Sequence, residues 1–148
     1  MRAVIQRVSS ASVTTEGRRA DIGPGLLVLV GVERGDGPDD VEYIARKVRE
    51  LRLFPHADKG FDRSVEEIGG QVMVVSQFTL AADCRKGRRP SFDAAAPPAE
   101  AKPLYESVVG ALEAAGLTVA TGVFQADMQV SLVNDGPVTV MLDSRKPD

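Results

Sequence analysis

The sequence predicts an α+β fold: one domain, residues 1–148, built on a strongly curved, mostly antiparallel, barrel-like sheet with two main helices packed against it. Three observations carry this expectation. Residues 26–32, LLVLVGV, form a continuous apolar run flanked by glycines, as in a central strand covered on both faces. Segments such as 126–133, with Met128, Val130 and Leu132 on one face, alternate as half-buried strands do. Two stretches place apolar residues three and four apart: Val41, Ile44, Ala45, Val48 and Leu51, then Leu104, Tyr105, Val108, Leu112 and Ala115.

In chain order, residues 3–8 and 10–15 read as two strands with Ser9-Ser10 between them. Glu16-Gly17 marks a hairpin turn and residues 18–22 return. Gly23-Pro24-Gly25 breaks the chain before the apolar run at 26–32. Asp39 and Glu42 have the spacing of a capping box ahead of the first helix. Phe54-Pro55 ends that helix, and residues 56–70 read as a surface loop with a turn at 64–68. Residues 72–80, VMVVSQFTL, read as a buried strand that turns polar at its end, with Gln77 and Thr79 on one face and Ser76, Phe78 and Leu80 on the other. Residues 81–98 form a long connection of little periodicity. The second helix starts between Pro98 and Pro103 and ends at Gly116. Strands follow at 117–121, 126–133 and 138–142, the last two separated by the dense turn signal Asn134-Asp135-Gly136-Pro137, with a polar tail over 144–148.

Composition narrows the function classes. The net charge of −3 means that any nucleic-acid contact must be local. A single cysteine, Cys84, allows no internal disulfide and suits a reducing compartment. No apolar run has the length of a membrane span, and MRAVIQRV alternates charged and apolar residues unlike a signal peptide, so a cytoplasmic protein is expected. The one histidine, His56, cannot make a histidine metal cluster within the chain and reads as an ordinary surface residue. Phosphate-loop and dinucleotide glycine motifs are absent, and no cofactor or metal is expected.

Two constellations remain. Arg85, Lys86, Arg88 and Arg89 directly follow the polar strand end; in an acidic chain they read either as a phosphate site or as a solvated loop. The NDGPVT stretch at 134–139 reads on its own as a turn with a strand after it.

Taken together, MRAVIQRVSSASV, IGPGLLVLVGV, KVRELRLF, VVSQFTLAADCRKGRRPSF and MQVSLVNDGPVTVMLD resemble the D-aminoacyl-tRNA deacylase family, also called D-tyrosyl-tRNA deacylase. SQFTL and NDGPVT, about sixty residues apart, form a specific pair. Gln125 stands where the family has glycine in its FGA-like stretch, and Phe61-Asp62 replaces Met-Asn, departures that touch loops and not the two motifs. The resemblance implies a cytoplasmic homodimer that hydrolyses the ester of D-aminoacyl-tRNA, and of glycine mischarged on tRNA(Ala), without a cofactor. It implies that Ser76, Gln77, Phe78 and Thr79 line the pocket. Thr79 is then either the nucleophile or a positioning group while the tRNA's own 2′-hydroxyl drives the reaction. It also implies that a cis Gly136-Pro137 reaches into the other subunit's pocket as a chirality filter. Arg85, Lys86, Arg88 and Arg89 are the candidates for contacting tRNA phosphates. The rival readings are a hydrolase of small esters or peptides using Thr79 or Cys84, and a non-catalytic dimeric binding module.

Overall fold

The computed structural model of the chain describes residues 1–146. Its elements run β1 (Arg2–Thr15), β2 (Arg18–Ile22), β3 (Gly25–Gly31), α1 (Pro38–Glu50), β4 (Phe54–His56), β5 (Lys59–Arg63), β6 (Gln71–Ser76), a 3-10 turn (Phe78–Ala81), α2 (Pro98–Ala114), β7 (Thr118–Thr121) and β8 (Gln129–Asp143). The sheet order is β2-β1-β3-β6-β7, with β8 on the other side of β1. All pairings of β1 are antiparallel, whereas β3–β6 and β6–β7 are parallel. Parallel neighbours need long crossovers, and α1 and α2 supply them. No helix among the described residues is long and apolar enough to cross a membrane.

β3 and β6 carry the core because each is covered on both faces. Leu26, Val28, Val30, Val72 and Val74 point to one face, where they meet Val41, Ile44 and Val48 of α1 and Tyr105, Val108 and Leu112 of α2. Leu27, Met73 and Val75 point to the other, where the curl of the sheet brings Val8, Ala11, Val13 and Ile22 over them. Each fully buried Val or Leu here contributes about 1.5–3 kcal/mol through removal from water.

The elements differ from their sequence readings in five places. Residues 3–15 form one strand, not two, because β8 pairs across the Ser9-Ser10 step with a register shift. β8 likewise continues through Asn134–Pro137 instead of breaking there. Phe54-Pro55 do not end the first helix, which closes at Glu50; they open β4, whose hairpin with β5 occupies the first part of the stretch read as a loop over 56–70. The first helix is capped two residues earlier than Asp39/Glu42: Gly37 is the cap residue, Pro38 opens the helix, and the Asp40 carboxylate accepts the Gly37 N–H at 2.9 Å. Finally, β6 stops at Ser76. The polar tail is described only as far as residue 146; residues 147 and 148 lie outside the described residues.

Candidate functional site

The end of β6 organises a cleft. Gln77 N–H donates to Val30 O at 2.7 Å, and the chain then winds into the 3-10 turn over Phe78–Ala81. That turn lies directly against Gly31 of β3, where a Cβ would come within 2.9 Å of both Gln77 O and Leu80 Cβ. Only glycine permits the approach. Gln77 and Thr79 are therefore neighbours through a turn, not through strand alternation, and the Gln77 Nε2 donates to the Thr79 Oγ1.

The cleft has a volume of about 640 Å³. Ser76, Gln77 and Phe78 form one wall, Phe92 and Ala96 a second, and Phe124, Gln125, Asp127 and Met128 a third. Phe78 is 57% exposed and meets Phe92 edge-on, with ring centroids 5.2 Å apart. Thr79 is exposed and does not line the cleft. Three phenylalanines with a few amides and one carboxylate make a surface suited to a flat heterocycle carrying polar substituents.

The cleft has little side-chain chemistry to offer. Asp127 is its one titratable lining residue among those described. His56 sits on the β4–β5 hairpin, between Asp62 at 3.4 Å and Arg63 at 2.8 Å, outside the lining. Cys84 is exposed and also outside it. Tyr105, under the sheet, donates to Val74 O at 2.9 Å, and burial pushes its hydroxyl up to about 12, so it stays protonated at neutral pH. What the site does hold is backbone: the first N–H groups of the 3-10 turn have no partner within the turn itself.

The basic loop is pinched at its base. Asp83 and Ser91 exchange backbone hydrogen bonds of 2.7 and 2.9 Å, and Phe92 ties the loop to Phe78. Of its four cations, Arg85 is already engaged: Nε and Nη2 donate to the Asp83 carboxylate at 2.9 and 2.7 Å. The hydrogen bonds from Arg85 hold the Asp83 carboxyl down to about 2, so the pair is closed at neutral pH. Lys86, Arg88 and Arg89 are exposed.

Gly136–Pro137 bulges from β8 and its peptide bond is cis. Gln6 faces Thr139 and Val8 faces Asn134, so only Arg7 lies opposite residues 135–138. Arg7 clamps that bulge. Its side chain is nearly buried; Nε donates to Asp135 O at 2.9 Å and Nη1 to Leu53 O at 2.6 Å. Asn134 bridges the base of the bulge, its Oδ1 accepting Val138 N–H at 2.8 Å and its Nδ2 donating to Thr139 Oγ1 at 3.1 Å. Within the single chain, Gly136 and Pro137 do not line the cleft.

The structure thus brings Ser76, Gln77 and Phe78 together at the cleft, leaves Thr79 beside it, and puts the basic loop at its rim through Phe92. Sequence reasoning missed Arg7, Phe92, Phe124, Gln125 and Asp127. Arg7 offered a signal, a charge facing the same way as the apolar residues of a strand that proved buried. The aromatic walls offered none, since they come from three distant segments.

The chain is similar to known proteins along nearly its whole length. The family model described as D-Tyr-tRNA(Tyr) deacylase matches residues 4–143. A D-aminoacyl-tRNA deacylase of Syntrophotalea carbinolica is 60% identical over 147 residues, 99% of each chain. That of Heliobacterium modesticaldum is 58% identical over 146 residues, 98% of this chain and 97% of its own. Among solved structures, the c-Myc DNA Unwinding Element Binding Protein superposes with a TM-score of 0.90 at 38% identity, covering 97% of this chain and 98% of that one. A probable eukaryotic D-amino acid tRNA deacylase gives 0.82 at 17% identity, over 95% and 97%, a likeness of fold. With both motifs in place and the family match spanning nearly all of the folded chain, the protein belongs to the D-Tyr-tRNA(Tyr) deacylase family.

Proposed function

We propose that this chain, acting as one domain over residues 1–148, hydrolyses the ester that joins a D-amino acid to the terminal adenosine of tRNA, sparing L-aminoacyl esters. The observation that carries the reading is an aromatic, amide-lined cleft at the end of β6 that holds almost no titratable chemistry. An aminoacyl ester is already activated by the neighbouring 2′-hydroxyl of its ribose, so positioning and preorganised N–H donors at Phe78 and Thr79 are enough to stabilise the developing oxyanion. Ser76 and Gln77 orient the acyl group. Gly136-Pro137 of a second copy closes the site and crowds an L side chain by steric conflict. Glycine, with no side chain, passes the same screen, so glycyl-tRNA(Ala) is a substrate too.

Assembly as a homodimer with a shared pocket is supported by β8, which among the described residues pairs only with β1 and exposes Val133 (57%) and Met141 (79%) along its free side; a cytoplasmic setting goes with the proposed aminoacyl-tRNA substrate. A monomer in sedimentation at working concentration would remove that part of the proposal. The deciding experiment incubates the protein with matched D- and L-aminoacyl-tRNAs and counts surviving ester: loss confined to the D series supports the reading, and equal survival of both sinks it. That second result would favour a binding module, of which the DNA-unwinding-element binder at 38% identity offers a precedent by its name.

Two variants refine the assignment. Thr79→Ala is expected to keep D-ester turnover within roughly threefold of wild type, about 0.6 kcal/mol of barrier, because its hydroxyl accepts from Gln77 and does not line the cleft. A loss of several orders of magnitude would restore Thr79 as the nucleophile. Since Cys84 also lies outside the lining, a thiol reagent is expected to leave turnover intact. Arg88→Gln with Arg89→Gln is expected to weaken tRNA binding and lower the slope of log affinity against log salt by about 1.4–1.8, two phosphate contacts' worth. An unchanged slope assigns the phosphates elsewhere.

A further inference from the structure

A second groove, of about 570 Å³, opens beside the cleft along the first turns of α2. The two share Pro98, Phe124 and Gln125, so they meet at one wall. Lys102 and Glu106 line the groove one helical turn apart, yet they form no ion pair among the described residues, and Lys102 makes no hydrogen bond there. The groove therefore presents a free cation, a free carboxylate and the apolar surfaces of Phe124 and Pro103 together.

The wall itself is backbone held against preference. Residues 123–126 form a turn closed by Ala126 N–H to Val123 O at 3.2 Å, with Gln125 in its third position. Gln125 has φ +67°, a left-handed conformation that turns reserve for glycine or asparagine. A glutamine there costs of order 1–3 kcal/mol unless context offsets it, and such residues gather at functional sites. Glycine would remove the cost and also the side chain.

From these observations we propose that the groove is a second nucleotide subsite. It takes the nucleotide immediately 5′ to the esterified adenosine, with Lys102 meeting the phosphate that links the two and Gln125 dividing them. The inference rests on the deacylase reading of the cleft. A single-stranded 3′ end that leaves the cleft over this shared wall enters the groove directly, and a cation beside apolar faces is the composition that binds single strands. Glu106 offers an acceptor to an exocyclic base amine.

The test compares two substrates, D-aminoacyl-tRNA and the same D-amino acid esterified to adenosine alone, which lacks the adjoining nucleotide. The readout is the ratio of their kcat/KM values. Lys102→Gln and Gln125→Gly are each expected to lower that ratio about tenfold by removing a contact that only the longer substrate makes. Gln125→Gly should also melt at or above the wild type, since the backbone is relieved. A ratio unchanged in both variants overturns the subsite, as does a lower melting temperature for Gln125→Gly with an unchanged ratio, which would make the glutamine structural. Wild-type protein that hydrolyses neither substrate instead defeats the deacylase reading itself.

Discussion

Gly136→Ala is expected to reduce hydrolysis of D-aminoacyl-tRNA by about a hundredfold or more, the penalty that a misplacement of roughly 1 Å can impose on a positioned reaction. The backbone at Gly136 has φ +134°, which L residues with a Cβ rarely adopt. A Cβ added there would sit 2.8 Å from Val138 Cγ2 and 2.9 Å from Arg7 Nη2. Neither neighbour can yield easily, because Arg7 is held by Leu53 O and Asp135 O and the Val138 N–H by the Asn134 side chain. The bulge must shift as a unit. In the proposed dimer its carbonyls then no longer stand where they would meet the acyl group of the partner's substrate. The check is single-turnover kinetics with D-aminoacyl-tRNA alongside a thermal melt. Full activity in a folded Gly136→Ala protein would show that the bulge does not position the acyl group.

Arg7→Met is expected to lower stability and relax selectivity together. The substitution keeps an apolar stem of similar length but removes the donors to Leu53 O and Asp135 O. Hydrogen bonds from a charged donor contribute about 1.5–3 kcal/mol each, so a loss near 3 kcal/mol is expected. For a chain of this size that corresponds to a drop of roughly 6–12 °C in melting temperature. The ion pair with the Asp135 carboxylate, 3.7 Å away, adds little because that side chain is 59% exposed. With the clamp gone, residues 135–138 gain freedom, and the proposed steric conflict with L side chains weakens. The ratio of D- to L-ester kcat/KM should fall by about tenfold, within the range one pocket contact commands. Arg7→Lys should sit between the two, since one ammonium cannot reproduce the forked geometry that spans two carbonyls. If the melting temperature falls while the D/L ratio holds, Arg7 supports the fold without positioning the bulge.

How much of this was legible beforehand depends on whether the deciding forces act locally. The helical stripes of α1 and α2 were readable because burying Val41, Ile44, Val48, Tyr105, Val108 and Leu112 requires only that they share a face. The run at 26–32 announced a strand covered twice, and both coverings exist. Asn134-Asp135-Gly136-Pro137 misled as an element boundary. Each of its residues favours a turn, but β8 pairs with β1 on both sides of it, and Arg7 and Asn134 satisfy the backbone that the bulge releases. The end of β6 misled in the same way: alternation predicts a strand through Leu80, and only the glycine at position 31 of a neighbouring strand lets the chain coil there instead.

The amino-acid sequence by itself determined the apolar strands, the two helices and the paired motifs that mark the family, because periodicity and motif identity are properties of neighbours along the chain. The tertiary structure alone decided that Ser76–Phe78, Phe92 and Phe124–Met128 enclose one cleft, and that Arg7 holds the Gly136–Pro137 bulge. Such contacts join residues separated by long stretches of chain. Their formation is set by the strand pairing and curvature of the whole sheet, a quantity that no local window contains.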